Sequence, residues 1–131
     1  MNFVDAKVVV EGSKAGLKFD NYTFELPAEK AKKVIDGGYA GKTVVMGIRP
    51  EDISDDAELL AKNSAYVIES DVTGYELLGA EVMLYFSVGG ANMSCRVASD
   101  TTARYGDHIK LAFDPTRIHV FDKETELTIT N

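Results

Sequence analysis

The sequence predicts a mainly β protein, a small barrel or sandwich of short antiparallel strands with one or two short helices. Three observations lead there. Apolar residues recur at every second position along most of the chain, the period of a strand with one buried face. Gly, Asn and Asp break these runs where tight turns would need them. The 131 residues, 45% of them hydrophobic, suffice for one compact core.

The elements follow in order. In FVDAKVVV (3–10), Val4, Ala6, Val8 and Val10 share one face, and Asp5 and Lys7 point away. GLKF-DN-YTFEL (16–26) reads as a hairpin about Asp20-Asn21, a pairing of turn residues and flanking apolar runs. The period then changes. Over 28–36 the residues Ala31, Val34 and Ile35 fall on one helical face, Pro27 stands near the start and Gly37 supplies a C-cap. TVVMGIRP (43–50) is β-branched and stops at Pro50, so it is a strand. SDDAELLAK (54–62) predicts a second helix, with Ser54 as its cap and Asp55 and Asp56 in its first turn. SAYVIESDV (64–72) aligns Tyr66, Ile68 and Val72. EVMLYFSV (81–88) is apolar on both faces until Ser87, as a central strand would be, and Gly89-Gly90 joins it to ANMSCRV (91–97) as a hairpin. HIKLAF (108–113), RIHVF (117–121) and ELTIT (126–130) complete six to nine strands. Polar residues around 54–63 mark a seam between two groups of strands.

Gly41-Lys42-Thr43 spells the end of a nucleotide-binding P-loop, but the pattern fails. Asp36 occupies the place of the first glycine. The order is helix, turn, strand, whereas a phosphate cradle needs a strand that opens into a helix. The reading is a Gly-rich turn.

Other chemistry is sparse. The net charge of −7 disfavours nucleic acid, which would call for basic grooves and aromatic stacking platforms. The lone Cys95 shares a strand face with Met93 and Val97 and reads as a core thiol; it excludes an internal disulfide and makes the cytosol the default setting. His108 and His119 lie beside strands with no nucleophile motif, and no spacing resembles a zinc motif. The acidic pairs Glu51-Asp52 and Asp55-Asp56 suit helix starts. No apolar run approaches the ~18 residues of a membrane span, and the N-terminus does not read as a signal peptide. The expectation is a binding or structural module, not an enzyme, with no metal site.

GIRPEDI (47–53) is the most informative segment. Pro50 holds Arg49 extended and removes a ladder donor, and Glu51 and Asp52 suit the first turn of a short helical element. Arg49 is expected as a partly buried structural arginine or as the partner of a nearby carboxylate. MGIRPEDI resembles a segment in the C-terminal regulatory domain of ATP-binding subunits of maltose-type sugar ABC importers. YELLGAEVMLYF is similar to that family's Glu-x-x-Gly-x-Glu strand entry through Glu76, Gly79 and Glu81. YGDHIKLAFDPTRIHVFD resembles its ending, closed by His119, Phe121 and Asp122, and MNF-VDAKV resembles the point where the domain begins.

The resemblance implies a transport-associated, OB-like domain of the TOBE or MOBE type. Residues 1–131 form a single regulatory domain, or two OB-like halves meeting near 54–63, with the ATPase domain upstream and absent from this chain. Walker A, Walker B and the Leu-Ser-Gly-Gly-Gln signature are missing, so the chain is expected to be catalytically silent. ATP and magnesium belong to the parent's ATPase domain, and no cofactor is expected here. The implied partners are a second copy, forming a homodimer, the parent ATPase domain, the membrane permease subunits and a cytosolic regulator. The implied location is the cytoplasm, peripheral to the membrane. The residues expected to shape the partner surfaces are Gly47, Arg49, Pro50, Glu51, Glu76, Gly79, Glu81, His119, Phe121 and Asp122. A different expectation follows from oxyanion-binding relatives: a small-ligand sensor, for which Ser99, Thr101, Thr102 and Arg104 are the candidate residues.

Overall fold

A computed structural model describes residues 1–131. Strand β1 (Asn2–Glu11) buries Asn2, Val4, Ala6 and Val8 and turns Phe3, Asp5 and Lys7 outward. Val10 does not share the inner face in practice; it lies beyond the core edge and is exposed. Gly12, at φ +64°, opens the turn into β2 (Lys14–Phe19), and the Asp20-Asn21 turn leads to β3 (Tyr22–Glu25). Helix α1 (Ala28–Asp36) buries Ala31 and Val34. Its C-cap Gly37 is right-handed at φ −75°, and the left-handed step falls on Gly38 at +79°. β4 (Thr43–Ile48) then lies antiparallel to β1, with Phe3 opposite Gly47 and Asp5 opposite Val45.

The Gly41-Lys42-Thr43 segment is a turn. The Gly41 N–H donates to the Val8 carbonyl, the Lys42 N–H donates to Tyr39, and the Lys42 carbonyl accepts from Val8 N–H. Its amides therefore tie the turn to β1 and to α1's exit instead of forming a phosphate nest.

The chain then leaves this sheet. A short 3-10 turn (Pro50–Asp52) leads to β5 (Ile53–Ser54), α2 (Ala57–Lys62) and β6 (Val67–Asp71). α2 is shorter than predicted: its N-cap is Asp56, whose carboxylate accepts from Glu58 N–H, while the Ser54 hydroxyl accepts from Asp56 N–H. β7 (Gly74–Leu78), β8 (Glu81–Val88) and β9 (Ala91–Ala98) form a three-stranded meander. β7 escapes the sequence pattern because Leu77 and Leu78 are both exposed and break the alternation. β8 is central in its sheet, yet only one face is buried: Val82, Leu84, Phe86 and Val88 point in, and Tyr85 points out. Gly89 and Gly90 both have positive φ, as a two-residue hairpin with the twist of its strands requires.

β10 (His108–Phe113) sits between β5 and β6 in a second small sheet. After a 3-10 turn (Pro115–Arg117), β11 (His119–Phe121) and β12 (Thr128–Thr130) return to the first sheet, giving the order β12-β11-β4-β1-β2-β3. The fold is thus mainly β, in antiparallel sheets consistent with an OB-like barrel.

One continuous core joins the three sheets, running from Val8 and Leu17 through Phe24, Ile68 and Phe113 to Leu84, Met46 and Val120. Phe24 stands edge-on to Phe19, Tyr66 and Phe113. Burial of such a side chain stabilises by about 1.5–3 kcal/mol. Polar stitches fix how the sheets meet. The Asn2 amide, itself buried, donates to the Ser94 carbonyl and accepts from Ser94 N–H, both at 2.8 Å. The Ser70 hydroxyl donates to the Ser87 carbonyl at 2.7 Å.

Candidate interaction surface

The residues singled out from the sequence fall into two groups on different sheets. The first lies on the outer face of the six-stranded sheet. Gly47, in the middle strand, faces Phe3 on one side and His119 on the other. One step along, Val45 lies between Asp5 and Phe121. Gly47 is there because its neighbours need the space: a Cβ would lie 2.8 Å from both the Phe121 ring and the Met1 sulfur. Over that gap Phe121 meets Phe3 edge-on at 5.9 Å and stacks against His119 at 6.3 Å. Phe3 remains 52% exposed, so this is an aromatic surface and not core.

Arg49 is neither buried nor paired with a carboxylate. It is exposed, and its guanidinium lies 3.1 Å from Nε2 of His119. Arg49 can only donate, so the imidazole accepts and is neutral, with its proton on Nδ1. Burial, and next the adjacent Arg49 charge, hold His119 below its ordinary range. Pro50 starts the 3-10 turn at N1 and Glu51 is exposed beside it. Asp52 is pushed up, mainly by burial and then by the Glu51 charge.

Asp122 organises the loop that borders the aromatic surface. Its carboxylate accepts from the backbone N–H groups of Glu124 and Thr125 and from the Tyr39 hydroxyl at 2.7 Å. These bonds, Thr125's first, keep Asp122 below the usual carboxylate range. Lys123 donates to Asp5 at 2.6 Å. The resulting cleft, about 470 Å³, has Phe3, Val45 and Phe121 as its apolar floor.

The second group is the β7–β8 hairpin. Gly79 at φ +69° and Ala80 make its two-residue turn, with Leu78 opposite Glu81. Glu76 accepts from the Tyr85 hydroxyl at 3.1 Å, which raises the Tyr85 phenol. Leu77 and Leu78 are 62% and 43% exposed, so the hairpin carries an apolar edge flanked by Glu76 and Glu81.

The remaining candidates for chemistry are committed elsewhere. Cys95 is buried, and its thiol is pushed up to about 12, chiefly by that burial. His108 is exposed and bonds Asp71 at 2.8 Å, which raises it. The Thr101 hydroxyl donates to Asp55, and Arg104 donates to the carbonyls of Thr101 and Ala103 while lying 4.8 Å from the centre of the Tyr75 ring. No three His, Cys, Asp or Glu side chains are grouped to hold a metal ion. No helix is long and apolar enough to cross a membrane.

Sequence reasoning missed Phe3, Tyr39 and Tyr85 as partners of the chosen residues. For Phe3 the signal was available: it is out of phase with Val4, Ala6 and Val8, so its ring had to point outward. Tyr85 pairs with Glu76 across the β7–β8 turn and Tyr39 with Asp122, 83 residues away, and the sequence shows neither geometry.

Comparison with known proteins agrees with this architecture. Residues 1–53 match the family model described as the MalK OB fold domain, and residues 46–121 match the TOBE domain. The oligosaccharides import ATP-binding protein MsmX of Bacillus subtilis is 33% identical over 98% of this chain. The multiple sugar-binding transport ATP-binding protein MsmK of Streptococcus mutans is 32% identical over 98% of it. An uncharacterized ABC transporter ATP-binding protein, YcjV of Escherichia coli, is 38% identical over 98%. The match covers 34%, 33% and 33% of those proteins respectively, so the chain spans about a third of the length of these relatives. The cytoplasmic molybdate-binding protein ModG has a similar fold, with a TM-score of 0.65 at 13% identity over 91% of this chain and 94% of ModG.

Proposed function

This chain belongs to the TOBE domain family, and on that premise we propose that it is a non-catalytic regulatory and dimerisation domain of the ATP-binding subunit of an ABC importer for sugars. One observation carries the reading. Relatives that match along nearly the whole chain are import or transport ATP-binding proteins about three times as long. In this reading ATP and magnesium bind in the parent's ATPase region. The parent works at the cytoplasmic face of the membrane with permease subunits.

The pairing surface we assign is the apolar edge of the β7–β8 hairpin, with Leu77 and Leu78 at its centre. A persistent contact there raises the effective concentration of the two ATPase domains, making their closure an intramolecular event. A cytosolic regulator would shift the open and closed populations only by binding one more tightly than the other. Glu76 and Glu81 flank the contact in both copies, so added salt should strengthen it by screening their repulsion.

Sedimentation velocity over a dilution series tests this. The expected result is a reversible dimer, favoured by salt and abolished by Leu77→Glu with Leu78→Glu, at unchanged far-ultraviolet circular dichroism. Monomer alone up to about 1 mM, a protein–protein free energy weaker than ~4 kcal/mol, would overturn pairing through this surface. The oxyanion-sensor reading has geometry against it, because the Thr101 hydroxyl and the Arg104 guanidinium already have protein partners and Asp55 adds a carboxylate. Calorimetric heat with molybdate, tungstate or sulfate would revive it.

A further inference from the structure

We propose that Lys30 is a carbon dioxide site, its side-chain amine adding CO2 reversibly to form a carbamate. The inference concerns α1 where it meets β12, and it does not depend on the pairing surface proposed above.

Lys30 is the only charged side chain among the buried residues, at 8% exposed, and it lies on the packed side of α1 with Ala31 and Val34. It enters none of the ion pairs of the fold. Its amine has no hydrogen-bond partner either. Because no sealed side-chain nitrogen lacks such a partner, Nζ keeps a narrow opening to solvent. A charge covered in this way without a counter-ion is costly, and the cost falls when the amine is neutral. Burial first, then the Lys33 charge, hold Lys30 below the ordinary lysine range, with Glu29 opposing them. The neutral amine is the form that acts as a nucleophile.

The surroundings decide what it attacks. The narrow opening admits only a small electrophile, and the product has to suit a positive field. α1 packs on β12, the neighbour of β11, which brings the Lys30 charge within range of His119. His119 in turn accepts from Arg49 at 3.1 Å, and Arg49 also makes no ion pair. At His119 the charges of Arg49 and Lys30 outweigh that of Asp52, and at Lys30 the charge of Lys33 outweighs that of Glu29. A molecule that enters small and neutral and becomes an anion on the amine fits both conditions. CO2 does this.

The step balances without any further reagent. The Nζ lone pair attacks the carbon of CO2, one C=O π pair moves onto its oxygen, and a proton of the amine passes to water. Amine and CO2 give carbamate and one proton, with no leaving group, oxidant or reductant. Lys30 then carries a negative charge in the field of Lys33 and Arg49, and the charge that reaches His119 is reversed.

The test is 13C NMR of the chain in millimolar 13C-bicarbonate at about pH 8. It is paired with trapping by a trialkyloxonium salt, which esterifies a carbamate, followed by peptide mass spectrometry. The mapping separates Lys30 from the α-amino group of Met1. The expected result is a carbamate signal that disappears in Lys30→Gln. The trapped ester should be at least about fivefold more abundant at Lys30 than at the exposed Lys18 and Lys110, and no more abundant than there in urea. This comparison is made within the wild-type chain, so it holds even where a variant unfolds. In bicarbonate His119 should also titrate at higher pH than in chloride of equal ionic strength. Lys30→Arg, which keeps the charge and removes the nucleophile, should abolish that difference. Three results overturn the proposal: equal trapping at Lys30, Lys18 and Lys110 in the folded chain, a carbamate signal that survives in folded Lys30→Gln, or the same His119 displacement in Lys30→Arg.

Discussion

Gly47→Ala is the sharpest test of the aromatic surface. The added methyl would lie 2.8 Å from Cε2 of Phe121 and 2.8 Å from Sδ of Met1, and 3.4 Å from Cδ1 of Phe3. The Met1 side chain ends freely and can swing away. Phe121 cannot move as easily, because Phe3 meets it edge-on and His119 stacks against it. Overpacking of this kind costs about 1–3 kcal/mol. Replacing Gly in a strand returns about 0.4–1 kcal/mol by restricting the unfolded chain. The net loss therefore centres on about 1 kcal/mol within a range of about 0–2.6, and its centre is a fall in Tm of roughly 3–6 °C for a chain of this size. Thermal and urea denaturation read the loss. The His119 Cε1–H signal should shift in the folded variant, since the ring stacked on it is displaced. In a Phe121→Leu background the same alanine should cost about 1 kcal/mol less, because the obstructing ring edge is gone. Equal effects of the alanine in both backgrounds would refute the steric account of Gly47.

Three further outcomes are expected. Asn2→Ala leaves the N–H and C=O of Ser94 without their partner between two sheets; it should cost about 2–3 kcal/mol, read as a lower urea midpoint. The two histidines should titrate on opposite sides of the ordinary 6.5, which 13C-edited NMR of the Cε1–H signals resolves. For His108, raised first by its bond to Asp71, the stabilising contribution is complete below the unfolded value and disappears as pH rises through the folded one. For His119, lowered first by burial, the contribution is complete above the unfolded value and is lost as pH falls through the folded one. His108→Asn should therefore flatten the alkaline side of the stability profile and His119→Asn the acid side; the reverse assignment would refute the geometry. Cys95, buried with its thiol raised to about 12, should react with a maleimide at least ~1000-fold more slowly in the native protein than in urea.

Much of the fold was legible because most strands have one buried face, and period two then writes itself into the sequence. β1, β9 and the β2–β3 hairpin follow that rule, and Gly89-Gly90 fixes its turn by its need for positive φ. The failures have a common cause. β7 pairs fully with β8 yet sits at a sheet edge, where Leu77 has nothing to cover it, so its apolar residues do not alternate. β8 looked buried on both sides because Met83 and Tyr85 are apolar, although Tyr85 faces solvent and bonds Glu76. Propensity and period report burial, and at an edge or on an outward aromatic face they report it wrongly. At the surface itself, the segments that carry the family resemblance were visible, but Arg49's partner was not. The register between β4 and β11 places it beside a histidine 70 residues away, and no local pattern encodes that register.

That register explains why two distant signatures read as one. The 47–53 and 106–122 segments are separated by the whole β7–β9 meander, yet β11 lies directly against β4 and sets His119 opposite Gly47. The β1 strand flanks Gly47 on the other side with Phe3. Three stretches of chain thus meet at one glycine whose missing side chain is what lets the rings close over it. None of the three can form the surface alone: without β11 the Phe3 ring loses its edge-on partner, and without β1 the floor of the cleft loses Phe3. The contacts involved are among the longest-range in the chain, so their loop-closure entropy must be met before they stabilise anything. The surface is therefore expected to form late in folding. A stopped-flow experiment should show Gly47→Ala speeding unfolding while leaving the refolding rate nearly unchanged; a matching loss in the refolding rate would mean that β1, β4 and β11 meet early instead.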